Sequence, residues 1–343
     1  MNPEQDFNED LFEHYRIVVD KGQSLLRIDK FLVKRVENAS RTKIQNAARA
    51  GNILVNHRTV KPNYKVKPGD VISILLPGEP REIENIPEDI PLNIVYEDED
   101  VLIVNKPSGM VVHPAYGNYT GTLFNALLFL FMGKTNKDGK EIYPWLVHRI
   151  DKDTSGLLII AKNELAQAIL AHQFYEHSIK REYTALIWGD LENETGTIEG
   201  YINRNPKDRR IMTIYQDPEK GRTSITHYNV IKRWGYVTLI NCSLETGRTH
   251  QIRAHFASIG HPLFGDTPYG GRQILKGSLY SKYKQFVENS FGLLKGQALH
   301  ARTIEFVHPS SHQKVYFESE LPADFQEVIE RWDKYVLGRN LQS

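Results

Sequence analysis

From Leu25 the apolar positions of the chain fall at helical spacing. Leu25, Ile28, Phe31, Leu32 and Val36 recur at intervals of three and four, with Lys30, Lys34 and Arg35 on the opposite face. Ser40 is placed to cap a second helix over 41–50, and Gly51 stands where such a helix ends. Short β-like pieces at 53–56 and 59–60, a Pro68-Gly69-Asp70 turn and a strand over 71–76 complete a small α/β module. Pro77, Pro80, Pro87 and Pro91 then lie among acidic residues, the composition of a stiff, extended linker.

Beyond the linker the period shortens. Strands are expected at 92–96 and 101–105 around the acidic turn 97–100; Lys106-Pro107-Ser108-Gly109 breaks the second, and 110–113 resumes it. The run 123–132 is a core helix. Leu157 to Ala161 is a five-residue buried strand, entered from a crowd of polar residues, His148 to Ser155. Such crowding at the mouth of a core strand is costly unless the groups are paired, so chemistry is sought there. Asn163 caps a helix reaching 178, and 183–188 is a strand ended by Gly189. Hairpins are expected from 224–233 with 236–244, around Trp234-Gly235, and from 298–307 with 313–320. Thr249 begins a helix to 259, with Gly260 and Pro262 beyond it, and 325–336 forms a last helix. Strands outnumber helices and many are hairpin-joined, so the fold class is α+β, a mixed and largely antiparallel sheet. The expected organisation is an acidic lead (1–23), the basic module (24–78), the proline-rich linker (79–91) and one large domain (92–343).

Charge sharpens this division. The net charge is only +1, yet residues 21–80 hold twelve Lys/Arg against four Asp/Glu, a net of +8, and residues 81–100 hold one Arg against eight Asp/Glu, a net of −7. A compact basic module on a near-neutral body suggests a polyanion-binding appendage, with a solvated charged surface as the bland alternative. The single cysteine, Cys242, excludes an intrachain disulfide and a Cys-based zinc site, and fits a reducing compartment. The acidic start (Glu4, Asp6, Glu9, Asp10) argues against a secretory signal, and the most apolar run, Leu123–Met132, is too short to span a bilayer. A cytoplasmic protein is the expectation.

Several familiar chemistries are absent. Gly133-Lys134-Thr135 lacks the phosphate-loop glycine, since position 128 is Leu128. No G-x-G-x-x-G, H-E-x-x-H or G-x-S-x-G occurs, and His250 and His255 are five apart, which does not put them on one helix face. Three clusters remain: His148 to Gly156; Lys180-Arg181-Glu182-Tyr183; and Thr246 to His255, followed by Gly260 to Asp266. Taken singly each has an ordinary reading, Asp151 capping a turn, Tyr183 half-buried in a strand, Arg253 a surface charge on its helix.

Two resemblances connect these features. The order of basic helix, loop, basic helix and small β-ribbon over 24–77 resembles the RNA-binding domain shared with ribosomal protein S-four, an αL-type motif. It rests on Arg27-Ile28-Asp29-Lys30-Phe31-Leu32, Ser40-Arg41, Gly51, Val55-Asn56 and Lys67-Pro68-Gly69-Asp70. It implies phosphate contacts by Arg27, Lys30, Lys34, Arg41, Lys43 and Arg49. The three clusters, in this order, resemble the RluA/RluD family of pseudouridine synthases. The pattern His-Arg-Leu-Asp-x-x-Thr-Ser-Gly stands at His148 to Gly156 with Ile150 for Leu; Lys-x-Tyr reads Arg181-Glu182-Tyr183; Gly-Arg-Thr-His-Gln-Ile-Arg-x-His is intact from Gly247 to His255. Asn105 to Gly109 and Leu299-His300-Ala301 also fit, and the resemblance spans roughly 90–325, with 270–296 least like the family core.

That resemblance implies isomerisation of uridine in RNA by an ionised Asp151, without cofactor or metal. It implies Arg253 as the guanidinium partner, and Tyr183 to stack on uracil and assist proton removal from C5. Arg149, Thr154, Arg248 and His250 become substrate contacts, and Asp153 a turn or cap residue. The implied partner is RNA, with 23S ribosomal RNA favoured over tRNA, and the implied state a monomer. A non-catalytic ribosome-assembly factor that keeps the fold is the competing reading.

Overall fold

The computed structural model describes residues 11–36, 39–77, 85–115, 117–278 and 280–340. The chain folds as two compact units; of the described residues, 11–36 and 39–77 fall in the first and most of the remainder in the second. Of the linker expected at 79–91, residues 79–84 lie outside the described residues. Residues 85–91 are described, and they are tied down by hydrogen bonds from Glu88 N–H to the Asn125 carbonyl (3.0 Å) and from Asn125 Nδ2 to the Ile86 carbonyl (2.7 Å).

The first unit contains β1 (Leu11–Val18), β2 (Leu26–Arg27), α1 (Ile28–Val33), α2 (Arg41–Arg49), β3 (Ile53–Val55), β4 (Arg58–Thr59), β5 (Lys65–Val66) and β6 (Val71–Pro77). Four strands form a sheet in the order β1-β6-β3-β4, and β2 pairs with β5. The two helices cover a core of Ile28, Phe31, Leu32, Ile44, Ala48, Ile53 and Ile72. Fully buried side chains such as Phe31 and Leu32 each contribute about 1.5–3 kcal/mol. Ser40 caps α2 as expected, accepting Lys43 N–H at 3.2 Å. Two expectations are corrected. The first helix, expected from Leu25, starts at Ile28 because Leu26 and Arg27 pair instead with Val66 and Lys65. The acidic lead is not loose over 11–18: it is β1, antiparallel to β6, with Tyr15 and Ile17 against the core and Arg16 outward. Residues 1–10 lie outside the described residues.

The second unit follows the α+β expectation. It holds β7 (Asn93–Glu97), β8 (Val101–Lys106), α3 (Leu123–Phe131), β9 (Trp145–Leu146), β10 (Ser155–Ala161), α4 (Glu164–Tyr175), β11 (Lys180–Trp188), β12 (Thr195–Arg204) and β13 (Met212–Tyr215). It continues with β14 (Arg222–Arg233), β15 (Val237–Leu244), α5 (Gln251–Ser258), α6 (Ser281–Leu293), β16 (Leu299–Val307), β17 (Lys314–Glu318) and α7 (Ala323–Asn340). Its strands run β13-β12-β14-β15-β11-β16-β10-β8-β7, with β17 on β16 and β9 on β10.

The β10–β16 pairing is parallel, whereas β12–β14, β14–β15, β15–β11, β11–β16, β10–β8 and β8–β7 are antiparallel. That short seam, Ser155 opposite His300 and Gly156 opposite Ala301, joins the two halves of the sheet. Gly156 has φ +117°, and a Cβ there would lie 2.2 Å from the Ala301 carbonyl oxygen, so only glycine lets the strands approach this closely. Through the seam only β16 separates the entry to β10 from β11, with Ala301 paired to Gly156 on one side and to Tyr183 on the other, and this sets the location of the site.

Residues 110–113 do not resume a strand. The Val111 and Val112 carbonyls instead accept the N–H groups of Leu123 and Phe124, which α3 cannot satisfy within its own first turn. The stretch 270–296, least like the family pattern, contains α6. This helix packs Tyr283, Val287 and Phe291 against α7 around the buried Trp332.

Candidate active site

Asp151 stands on the loop between β9 and β10. Its carbonyl accepts Thr154 N–H at 3.1 Å, which closes a turn just ahead of β10. Residues 106–109 hold this loop from behind. The fully buried Lys106 Nζ donates to the carbonyls of Pro107, Met110 and Lys152 at 2.8, 2.8 and 2.9 Å. Gly109 N–H adds a second bond to the Lys152 carbonyl, and Ser108 Oγ donates to that of Asp153 at 2.8 Å. Burial pulls the Lys106 ammonium down to about 7, against the opposing charges of Asp153 and then Asp151. On the seam, Ser155 Oγ lies 2.9 Å from His300 Nδ1, and His300 Nε2 lies 2.9 Å from Ser319 Oγ. Burial takes His300 down to about 4, so this bridge is neutral at ordinary pH.

The Asp151 carboxylate meets Arg253 from α5. Arg253 Nη1 donates to Asp151 Oδ2 at 2.9 Å, while Nε and Nη2 fork onto Asp266 at 2.7 and 2.9 Å. Arg253 is 5% exposed and Asp266 is fully buried. Burial alone would lower the Arg253 pKa; the hydrogen bonds and charge of Asp266, and then those of Asp151, more than reverse this and raise it. The guanidinium stays charged and holds one oxygen of Asp151. Near the other oxygen, His250 Nε2 lies 3.8 Å from Oδ1.

Tyr183, on β11, is buried opposite Ala301. Burial raises its phenol pKa and Asp151 adds to the rise; the charge and hydrogen bond of Arg181 oppose it. Tyr183, Asp151 and Arg253 line one solvent-open pocket. The same pocket takes in Arg149, Thr154, Arg248 and His250, so all seven residues expected from the motifs converge, although they come from 149–154, 183 and 248–253. Ile150, Leu244, Ile252 and Leu299 add apolar walls.

The individual placements differ from expectation in three respects. Thr154 is 2% exposed and its Oγ1 receives Gln297 Nε2 at 2.9 Å, so it braces the loop as well as lining the pocket. Thr249 does not cap the helix. α5 begins at Gln251, and His250 is the cap residue, in the left-handed region at φ 54° and without a side-chain cap bond. Gln251 takes over the bracing, its Oε1 accepting Thr246 Oγ1 (2.8 Å) and Arg248 N–H (3.0 Å). His148, at the head of the first motif, lies behind the loop. Its Nε2 accepts Ile159 N–H at 2.9 Å, its ring stacks on Phe174, and burial lowers it to about 3. Sequence reading missed Asp266 as a partner for Arg253, and missed Tyr269, whose ring lies under the Arg253 guanidinium at 4.9 Å.

In the first unit, Lys30, Arg41, Lys43 and Arg49 are exposed and Arg27 and Lys34 half-buried. Arg27 and Arg41 are not free charges, because both donate to the buried carboxylate of Asp29. Arg27 and Arg49 line a shallow groove with Lys61 and Asn63. Among the described residues one trio, Asp98, Asp100 and His308, could share a metal ion. Its members are already engaged: His308 Nε2 lies 2.8 Å from Asp98 Oδ2, and Ser310 Oγ donates to Asp100.

The chain is similar to known proteins in both of its units. The RNA pseudouridylate synthase family model matches residues 100–258, which include Asp151, Tyr183 and Arg253, and the S4 domain model matches 26–72. A Bacillus subtilis protein named uncharacterized RNA pseudouridine synthase YlyB is 43% identical over 93% of this chain and 98% of its own length. Ribosomal large subunit pseudouridine synthase D of Zymomonas mobilis is 42% identical over 88% of this chain and 92% of its own. The solved human RNA pseudouridylate synthase domain containing 4 shares the fold, with a TM-score of 0.56 at 21% identity over 70% of this chain and 93% of its own. With relatives this similar over nearly their whole length, the chain belongs to the RluA/RluD family of RNA pseudouridine synthases, isomerases of uridine in RNA, and carries an N-terminal S4 domain.

Proposed function

We propose that this protein converts uridine to pseudouridine in 23S ribosomal RNA, with Asp151 as the catalytic carboxylate. The observation that carries the assignment of Asp151 is its asymmetry. Oδ2 is fixed by Arg253 at 2.9 Å, while Oδ1 is left to the pocket that Tyr183 also lines. A carboxylate anchored in this way can act at the ribose, either by adding at C1′ or by taking a proton at C2′. The C1′–N1 bond breaks, the base turns, and C5 joins C1′; C5 then loses its proton and N1 gains one. Atoms and electrons balance within the nucleotide.

Tyr183 supplies a face for the uracil, and stacking of this kind is worth about 1–3 kcal/mol per base. Its raised pKa keeps the phenol protonated at neutral pH, so it assists loss of the C5 proton as a hydrogen-bonding relay and not as a phenolate. Arg149 and Arg248 contact phosphates beside the flipped nucleotide. The basic residues of the S4 domain hold the surrounding RNA, chiefly through its phosphates. Large-subunit RNA is favoured because several similar relatives are named ribosomal large subunit pseudouridine synthase D. The protein acts as a cytoplasmic monomer in this reading; among the described residues no helix is long and apolar enough to cross a membrane. Mapping pseudouridines in total RNA from cells with and without the protein tests the proposal. Loss of a site in 23S RNA is the expected result, and loss confined to tRNA would redirect it.

A further inference from the structure

Tyr269 lies just beyond the third motif, and its contacts reach both groups that flank Asp151. Its hydroxyl oxygen accepts Met212 N–H at 2.7 Å and lies 3.1 Å from His250 Nδ1. Its ring lies under the Arg253 guanidinium and meets the His250 ring edge-on at 5.8 Å. A phenol carries a single proton. With Met212 donating into the oxygen, Nδ1 is the acceptor in reach of that proton. The reverse arrangement, Nδ1–H donating to the phenol, would leave the phenol proton without an acceptor among these contacts, an arrangement proteins avoid in part-buried sites.

The direction of the chain therefore fixes the imidazole: Met212 N–H to Tyr269 oxygen, Tyr269 O–H to His250 Nδ1, and the ring proton on Nε2. Nε2 is the nitrogen that faces Asp151, 3.8 Å from Oδ1, too far for a direct hydrogen bond. The backbone of His250 sits in the left-handed region, which a non-glycine residue keeps only when its surroundings over-determine it. Burial also lowers the His250 pKa; Arg253 and Arg149 push the same way, and Asp151 and Asp266 oppose.

We propose that His250 is a neutral hydrogen-bond donor to the departing uracil, and that Tyr269 is the positioning residue that fixes its tautomer. This rests on the reading of the Asp151 pocket as the uridine site. When the C1′–N1 bond breaks, its electron pair passes to the uracil and is shared by N1 and the carbonyl oxygens. A ribose brought to Oδ1 sets those oxygens beside the Nε2–H. The hydrogen bond stabilises the charge as it develops, with the proton remaining on Nε2, and the ring's electron pair then forms the C5–C1′ bond.

Tyr269→Phe keeps the ring under Arg253 and removes only the hydroxyl. The single-turnover rate on RNA should fall about tenfold, the loss of roughly one well-placed hydrogen bond, while the RNA Kd stays within about twofold. Imidazole 15N NMR, with His250→Gln to assign the signal, should show the Nε2–H form in the wild type and a tautomer mixture in Tyr269→Phe. In a His250→Gln background, whose amide N–H needs no tautomer, Tyr269→Phe should cost less than about twofold. A wild-type rate in Tyr269→Phe, or an unchanged Nε2–H signal beside a slowed rate, overturns the proposal. Asp151→Asn run in parallel separates the two readings: if it is active, the pocket assignment falls; if it is dead while Tyr269→Phe is normal, only this inference falls.

Discussion

Arg253 grips Asp266 with a two-nitrogen fork, Nε at 2.7 Å and Nη2 at 2.9 Å, which fixes the guanidinium plane and leaves Nη1 aimed at Asp151. Asp266 thus aligns the Asp151 carboxylate without touching it. Asp266→Ala should leave a buried guanidinium with half its compensation. The expected cost is about 3 kcal/mol of stability in the catalytic unit, together with a slower single turnover. Urea denaturation followed by tryptophan fluorescence measures the first. Wild-type stability would mean that the fork is not what holds Arg253.

Asp151→Asn keeps the shape of the side chain and an acceptor for Arg253 Nη1, and the fork to Asp266 is untouched. Fold and RNA affinity should persist while turnover drops by at least about a thousandfold. Tritium release from RNA labelled at C5 of uridine reads this directly. Appreciable activity in the variant would remove Asp151 from the chemistry.

Tyr183→Phe retains the ring and loses the relay. RNA should bind as before, with the single-turnover rate about a hundredfold lower, the lower range for a positioned acid–base group. Equal rates for phenol and phenyl would leave Tyr183 as a stacking surface alone.

The site was legible where its parts are contiguous. His148 to Gly156 and Gly247 to His255 carry their motifs in consecutive residues, and it is the resemblance of those motifs to the RluA/RluD pattern that points to Asp151 and Arg253. Asp266 and Tyr269 act across space, 13 and 16 positions after Arg253, and no local periodicity links them to it. The same distinction applies to the fold. The fully buried β10 reads as an unbroken apolar run, whereas β12 has a half-exposed face and little contrast along its length. The signal for α6 was present: Tyr283, Val287 and Phe291 repeat every four residues beneath a polar surface of Ser281, Lys282, Lys284, Gln285, Glu288 and Asn289. β1 was hidden by the acidic residues ahead of it, although Tyr15 and Ile17 alternate with Arg16 as a strand requires.

Removal of residues 1–85 should leave the catalytic unit's motifs intact and weaken binding to large RNA. Each lost phosphate contact lowers the magnitude of the slope of log K against log salt by about one. Filter binding across a salt series on wild-type and truncated protein supplies the slopes. An unchanged slope would show that the basic S4 domain does not contact the RNA backbone.

Asp29 gives the S4 domain an acid-sensitive lock. Its buried carboxylate accepts Gln45 Nε2 at 2.6 Å, Arg27 at 2.9 and 3.1 Å, Arg41 at 3.1 Å and the Lys30 N–H at 2.9 Å. Burial would raise its pKa, but the hydrogen bonds of Gln45, Arg27 and Arg41 together bring it down from 3.8 to about 2. The folded value lies below the unfolded one, so the stabilisation is complete above about pH 4 and is lost as the pH falls through about 2. A shift of this size corresponds to roughly 2 kcal/mol. Asp29→Asn should remove that amount at neutral pH and flatten the acid dependence of the unit between about pH 4 and pH 2. The four tryptophans, Trp145, Trp188, Trp234 and Trp332, all lie in the catalytic unit. The readout is therefore amide hydrogen exchange in α1 and α2. Protection there that does not change with the substitution would mean that the Asp29 contacts do not stabilise the unit, and would return Arg27 and Arg41 to the pool of free phosphate contacts.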